Sequence, residues 1–231
     1  MPDRVYLDWN ATTPLRLEAR EAMAAASDIA GNPSSVHAEG RQARRLVEEA
    51  RAAIAAAVGA RPGNVVFTSG GTEANALALT PGLRRLPGFP AERLLVSAIE
   101  HPSVLAGGRF PAKTISKIEI TRAGLLDLDR LRAALADGPP ALVSVMLANN
   151  ETGAVQPVRE AAGIVHAAGG LLHVDAIQAF GKLAFEIGGL EADLVSLSGH
   201  KIGGPKGVGA VVLAEGLSGL EPVLRGGGQE R

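Results

Sequence analysis

Short apolar runs recurring between helical stretches constrain this chain more than any other feature. Residues 64–68, 93–97, 114–120, 141–147, 171–174, 194–197 and 208–213 have strand length, and most of them are almost continuously apolar. A strand with one wet face alternates apolar and polar residues, whereas a run without alternation is buried on both faces. Between these runs the spacing turns helical, over residues 15–27, 41–58, 72–79, 128–135 and 157–168, with a short helix from residue 101. The clearest is 41–58, where Leu46, Val47, Ala50, Ile54, Ala57 and Val58 fall on one face and Gly59 stands at the C-terminal cap position. Strands alternating with helices predict an α/β fold, a mainly parallel sheet between helix layers. The last two runs have no helix between them, so one neighbour pair is expected to be antiparallel. Residues 5–7 read as a short strand or an extended entry.

With 231 residues, the chain is long enough for one large α/β domain, or for a domain and part of another. A formal net charge of −1 gives no attraction to nucleic acid or to an anionic membrane, so neither is expected as a partner. The first ten residues contain no apolar core of a signal peptide, and no run is long enough to span a bilayer. A cytoplasmic protein is the expectation. The chain has no cysteine, which excludes disulfides and thiolate metal sites. No His-Glu-x-x-His or other metal spacing stands out, so no metal is expected.

Several strand ends carry residues capable of chemistry. Ser69-Gly-Gly-Thr-Glu-Ala-Asn75 follows a strand and opens a helix. A helix N-terminus with glycines suits a phosphate; the same residues also read as a plain Ser/Thr cap. Neither nucleotide-binding glycine fingerprint is matched. His173-Val-Asp175-Ala-Ile-Gln178 puts Asp175 at a strand's carboxyl end, where it can hold a pyridine nitrogen protonated or simply cap a turn. Ser198-Gly-His200-Lys201 puts a lysine among small residues before a glycine-rich stretch. Such a lysine is either a solvated surface charge or, with a lowered pKa, a nucleophile that forms a Schiff base. His101 stands just past another strand, where its ring can stack on a flat molecule. Asn150 lies in a turn-like Asn149-Asn-Glu-Thr-Gly153 and can donate to a ligand oxygen. Lysine, aspartate and a small-residue helix N-terminus are together the parts a pyridoxal-phosphate site needs.

In this order the segments resemble the cysteine desulfurases, a class V aminotransferase-like branch of the fold-type I pyridoxal-phosphate enzymes. The resemblance also rests on Tyr6-Leu-Asp-Trp-Asn-Ala-Thr-Thr-Pro14, Gly31-Asn-Pro-Ser-Ser35, Glu100-His101 and Gly226-Gly-Gly-Gln-Glu-Arg231, and spans essentially the whole chain. It implies an N-terminal segment over 1–14 and a pyridoxal-phosphate-binding large domain over 15–231. It implies Lys201 as the Schiff-base lysine, Asp175 as the pyridinium partner and His101 as the stacked ring. Gln178 and Asn150 would lie near the phenolic oxygen, and Gly71, Thr72, Ser198 and His200 at the phosphate. The implied reaction takes sulfur from L-cysteine, leaving L-alanine and an enzyme persulfide. That sulfur goes to an acceptor protein, as in iron–sulfur cluster assembly, and the implied state is a homodimer.

This chain departs from the family pattern in lacking the nucleophilic cysteine. It also stops inside the Gly-Gly-Gly-x-Glu-Arg motif, without the small domain that supplies the carboxylate-binding arginine. It is therefore expected to be C-terminally truncated and inactive alone. The alternatives are another class V enzyme, such as an aminotransferase, a selenocysteine lyase or a cysteine-sulfinate desulfinase, or a non-catalytic pyridoxal-phosphate-binding fragment.

Overall fold

A computed structural model describes residues 4–223 and 226. Strands β1 (Val65–Thr68), β3 (Arg93–Ser97), β4 (Ile115–Ile118), β5 (Ala141–Met146), β6 (Leu171–Asp175), β7 (Leu194–Ser198) and β8 (Gly209–Leu213) form one seven-stranded sheet. The order is β1-β8-β7-β6-β5-β3-β4. β3 to β7 run parallel to their sheet neighbours among themselves, while β8 is antiparallel to both β7 and β1. The antiparallel neighbour expected of the helix-free connection is therefore β8. β2 (Arg84–Arg85) and β9 (Leu217–Ser218) form a separate two-stranded ribbon.

Both faces of the sheet are covered, as the unbroken apolar runs require. Leu95, Val143, Val145, Leu172, Val174, Val195, Leu197 and Val212 belong to one buried cluster, beneath α2 (Ala38–Ala57), α5 (Leu128–Leu135) and α6 (Val158–Ala167). The intervening Leu94, Val96, Leu142, Leu171, Leu194 and Val211 belong to the other, beneath α3 (Gly71–Ala78) and α4 (Pro102–Leu105). This is the two-residue period of a strand expressed on two dry faces. α2 closes where Gly59 was expected to end it: Gly59 N donates to Ala56 O and Ala60 N to Ala55 O (2.8 Å).

Three local differences have physical causes. Residues 5–7 form no strand, because no strand pairs with them. The fourth strand shortens to Ile115–Ile118, and Ile120 instead bridges Leu126. α7 (Ile187–Leu190) is a single turn containing two glycines, too short for periodicity to signal. α1 (Leu17–Ser27) lies next to the N-terminal segment and buries none of its residues.

Candidate functional site

The carboxyl ends of the parallel strands converge on one cleft of about 590 Å³. Gly71 and Thr72 come from the turn after β1, His101 from beyond β3, and Asn150 from beyond β5. Asp175 ends β6, Gln178 follows it, and Ser198, His200 and Lys201 end β7 and the turn after it. All nine residues singled out in the sequence line this cleft. Crevices of this kind, outside the carboxyl ends of an open α/β sheet, are where such sheets bind ligands.

Asp175 is buried, 4% exposed. Its Oδ1 accepts from Ile177 N (3.0 Å) and its Oδ2 from Asn75 Nδ2 (2.8 Å). Burial raises its pKa; those two donors and then the electrostatic influence of neighbouring groups, Lys201 among them, pull the other way. Lys201 Nζ donates to the carbonyls of Asn10 (2.5 Å) and Ala11 (2.9 Å). Partial burial, and next the charge of Lys182, lower the Lys201 pKa, which enlarges its share of free amine. His200 is lowered too, by burial and then by Lys201 and Lys206.

The N-terminal segment crosses this cleft as a strap. Asn10 O also accepts from Gln178 Nε2 (2.8 Å), and Asn10 Nδ2 donates to Asn150 O (3.2 Å). Thr13 anchors the strap: its Oγ1 donates to His200 O (2.8 Å) and accepts from Gly203 N (2.6 Å). Lys182 Nζ donates to Gln178 Oε1 (2.7 Å), so a second lysine stands behind the first.

The same cleft suits a molecule bearing an aldehyde, a ring nitrogen and a phosphate. A Cβ on Gly71 would lie 2.3 Å from Ile177 Cδ1, so a side chain there would crowd the turn, and glycine leaves it open. Ser198 Oγ is buried and has no partner among the described residues. An orphaned buried hydroxyl beside a helix N-terminus, with Thr72 and His200 lining the same pocket, is a donor set for an anion. Lys201 supplies an amine and Asp175 a buried carboxyl, so the residues fit pyridoxal phosphate.

Sequence reasoning missed several partners. Glu100 is buried; its Oε1 accepts from Met146 N (2.7 Å), and its Oε2 has no partner among the described residues. Burial, reinforced by the charge of Asp175, holds its pKa well above the ordinary value. His173 is fully buried between Ser144 Oγ and Ser196 Oγ, both at 2.8 Å, and burial lowers it to about 3. Asn75, also fully buried, donates to Ser103 Oγ (2.9 Å) as well as to Asp175. Glu100 and Asn75 sat within noticed motifs, but no local signal showed which way they faced.

A larger cleft, about 1030 Å³, lies at the amino end of the parallel strands, lined by Leu171, Leu213, Arg61 and His166 among others. Its charged groups are held in ion pairs, Arg61 with Glu215 (2.6 Å) inside the cleft and His166 with the buried Asp193 (2.8 Å) beside it. Reactive groups that converge on one space are a better guide than volume, and they are in the smaller cleft.

Residues 5–231 match the class-V aminotransferase family. The chain belongs to that family. Among its curated relatives, a cysteine desulfurase of Cereibacter sphaeroides is 44% identical over 99% of this chain, and one of Mycobacterium tuberculosis, described as IscS-like, is 42% identical over 98%. Of solved structures, a NifS-like protein from Rickettsia africae superposes with a TM-score of 0.86 at 35% identity over 98% of this chain. A protein named SspA, in complex with cysteine, gives 0.81 at 31% identity. The chain spans about 60% of the length of these curated relatives, 60% and 59% respectively, and 62% of the Rickettsia structure. The motif over 226–231 lies outside the described residues except for Gly226.

Proposed function

We propose that this class-V chain is the cofactor-holding part of a pyridoxal-phosphate-dependent cysteine desulfurase, with residues 15–231 as its large domain. The observation that carries the proposal is the convergence of Lys201, Asp175, His101 and the Gly71–Thr72 turn on one cleft. The curated relatives named above, all cysteine desulfurases, support that choice of reaction over other class-V chemistries.

Lys201 would hold the aldehyde carbon through its amine. Asp175 would keep the ring nitrogen protonated, and His101 would lie against the ring. Ser198, Thr72, His200 and the Gly71 turn would hold the phosphate, with Gln178 and Asn150 near the ring oxygen. Bound there, pyridoxal phosphate supplies an electron sink for charge left at the substrate's α-carbon. Lys201 Nζ would take the α-proton of L-cysteine and return it. A thiolate would attack the substrate sulfur as the C–S bond breaks, the bond's electron pair going to the carbon side, so that the persulfide forms on the thiolate and the carbon side, once protonated, leaves as L-alanine. These 231 residues contain no cysteine, so this chain supplies no such thiolate. A sulfur-acceptor protein, a homodimer and a cytoplasmic location belong to the same proposal.

Products separate the readings. Incubated with pyridoxal phosphate, L-cysteine and a small thiol, the chain is expected to yield alanine and sulfide. Release of a 2-oxo acid instead would move the assignment to an aminotransferase. Cofactor bound without either product would leave a binding fragment.

A further inference from the structure

We propose that Asn75 is a positioning residue that joins Asp175 to His101 in one hydrogen-bonded chain. Its single amide nitrogen donates to Asp175 Oδ2 (2.8 Å) and to Ser103 Oγ (2.9 Å). Ser103 accepts that bond, which leaves its O–H to donate to His101 Nδ1 at 2.8 Å. Ser103 N points at the same ring nitrogen, at 3.1 Å. An imidazole nitrogen that accepts from two donors carries no proton, so the neutral His101 ring holds its proton on Nε2.

Chemistry sets the orientation of the amide. The opposite flip would press Oδ1 against the Asp175 carboxylate, acceptor against acceptor. The orientation found leaves Asn75 Oδ1 buried with no partner among the described residues. That desolvation is a cost an apolar side chain of the same size would not carry. Its retention at a fully buried position of α3 is explained by what the nitrogen does: it fixes the carboxyl on β6 and the imidazole at the start of α4 relative to each other. Two groups that must grip one flat molecule need such a fixed separation.

The proposal builds on the reading of Asp175 and His101 as cofactor contacts, but the chain of bonds exists without cofactor and is tested without it. Heteronuclear NMR of the His101 ring nitrogens is recorded on the cofactor-free protein. The unprotonated nitrogen is expected to be Nδ1, and Asp175→Asn is expected to shift both ring signals. Ser103→Ala should abolish that response and Ser103→Thr restore it, the coupling being read as a double-mutant cycle. Asn75→Leu should change the His101 signals and weaken pyridoxal-phosphate binding about tenfold, the scale on which groups behind a direct contact act at metal sites. If Asn75→Leu does not fold, the half-buried Ser103 pair decides alone. A response to Asp175→Asn that survives in Ser103→Ala would mean a through-space field and overturn the proposal. No response in the native background would overturn it equally. Failure of the native chain to bind pyridoxal phosphate would sink the cofactor reading and leave the NMR result standing.

Discussion

Lys201 and Glu100 are titrating groups near Asp175 that burial pushes toward their neutral forms. Lys201 loses affinity for its proton through burial and through Lys182. Lys182→Met therefore raises the Lys201 pKa, reduces free amine and slows aldehyde capture several-fold at neutral pH. Stopped-flow absorbance with pyridoxal phosphate measures this, and an unchanged rate would remove Lys182 from the account. Glu100 is shifted upward, so the unfolded chain ionises at a lower pH than the folded one. Its contribution therefore opposes folding as pH rises above the ordinary 4.5. Glu100→Gln should match the native protein in acid and gain stability at about 1.4 kcal/mol per pH unit until the folded value is reached. Urea midpoints across pH test the slope. Neither Glu100 nor Asn75 could be assigned a partner in advance: Asn75 meets Asp175 across 100 residues of sequence, and only the fold brings the two side chains together. Lys201, Asp175 and His101 were legible because each stands beside a strand end, where chemistry tells them apart from their neighbours.

Among the elements, the strands were legible and the ribbon and short helix were not. Burial on both faces turns a parallel strand into an apolar run, a signal the residues carry themselves. β2 and β9 have two residues each, and their pairing, Arg84 with Ser218 and Arg85 with Leu217, depends on distant chain returning to the same edge. Arg85 also ties that ribbon to the sheet through Asp193, which is fully buried before β7 and accepts from Leu172 N (2.7 Å) and His166 Nε2 as well. Burial pulls Asp193 upward, but bonds from His166, Leu172 N and Arg85 bring its pKa below the ordinary value. His166 is raised, first by its bond to Asp193. A raised histidine stabilises the fold fully below its unfolded value near 6.5 and loses that contribution as pH rises through the folded one. His166→Gln is thus expected to destabilise most in mild acid, with the gap closing as pH rises. Asp193→Ala leaves buried donors unpaired and should cost about 3–5 kcal/mol throughout neutral pH. Denaturation midpoints at several pH values check both, and a His166→Gln gap that widened with pH would contradict the sign.

At the scale of the molecule, the sheet brings residues from the ends of five strands into one cleft, and the N-terminal strap closes over them. Binding there must stabilise the whole fold: at a concentration one hundred times Kd, pyridoxal phosphate adds about 2.7 kcal/mol. The thermal midpoint should rise with cofactor in the native chain and far less in Lys201→Ala. These 231 residues contain no cysteine, so the lysine is the feature the proposal depends on most. The most direct test is borohydride reduction of the chain mixed with pyridoxal phosphate, followed by peptide mapping. The account predicts a visible absorption band before reduction and a pyridoxyl group fixed on Lys201 after it. Label on Lys182 or another lysine with Lys201 unmodified, or no label at all, would contradict it.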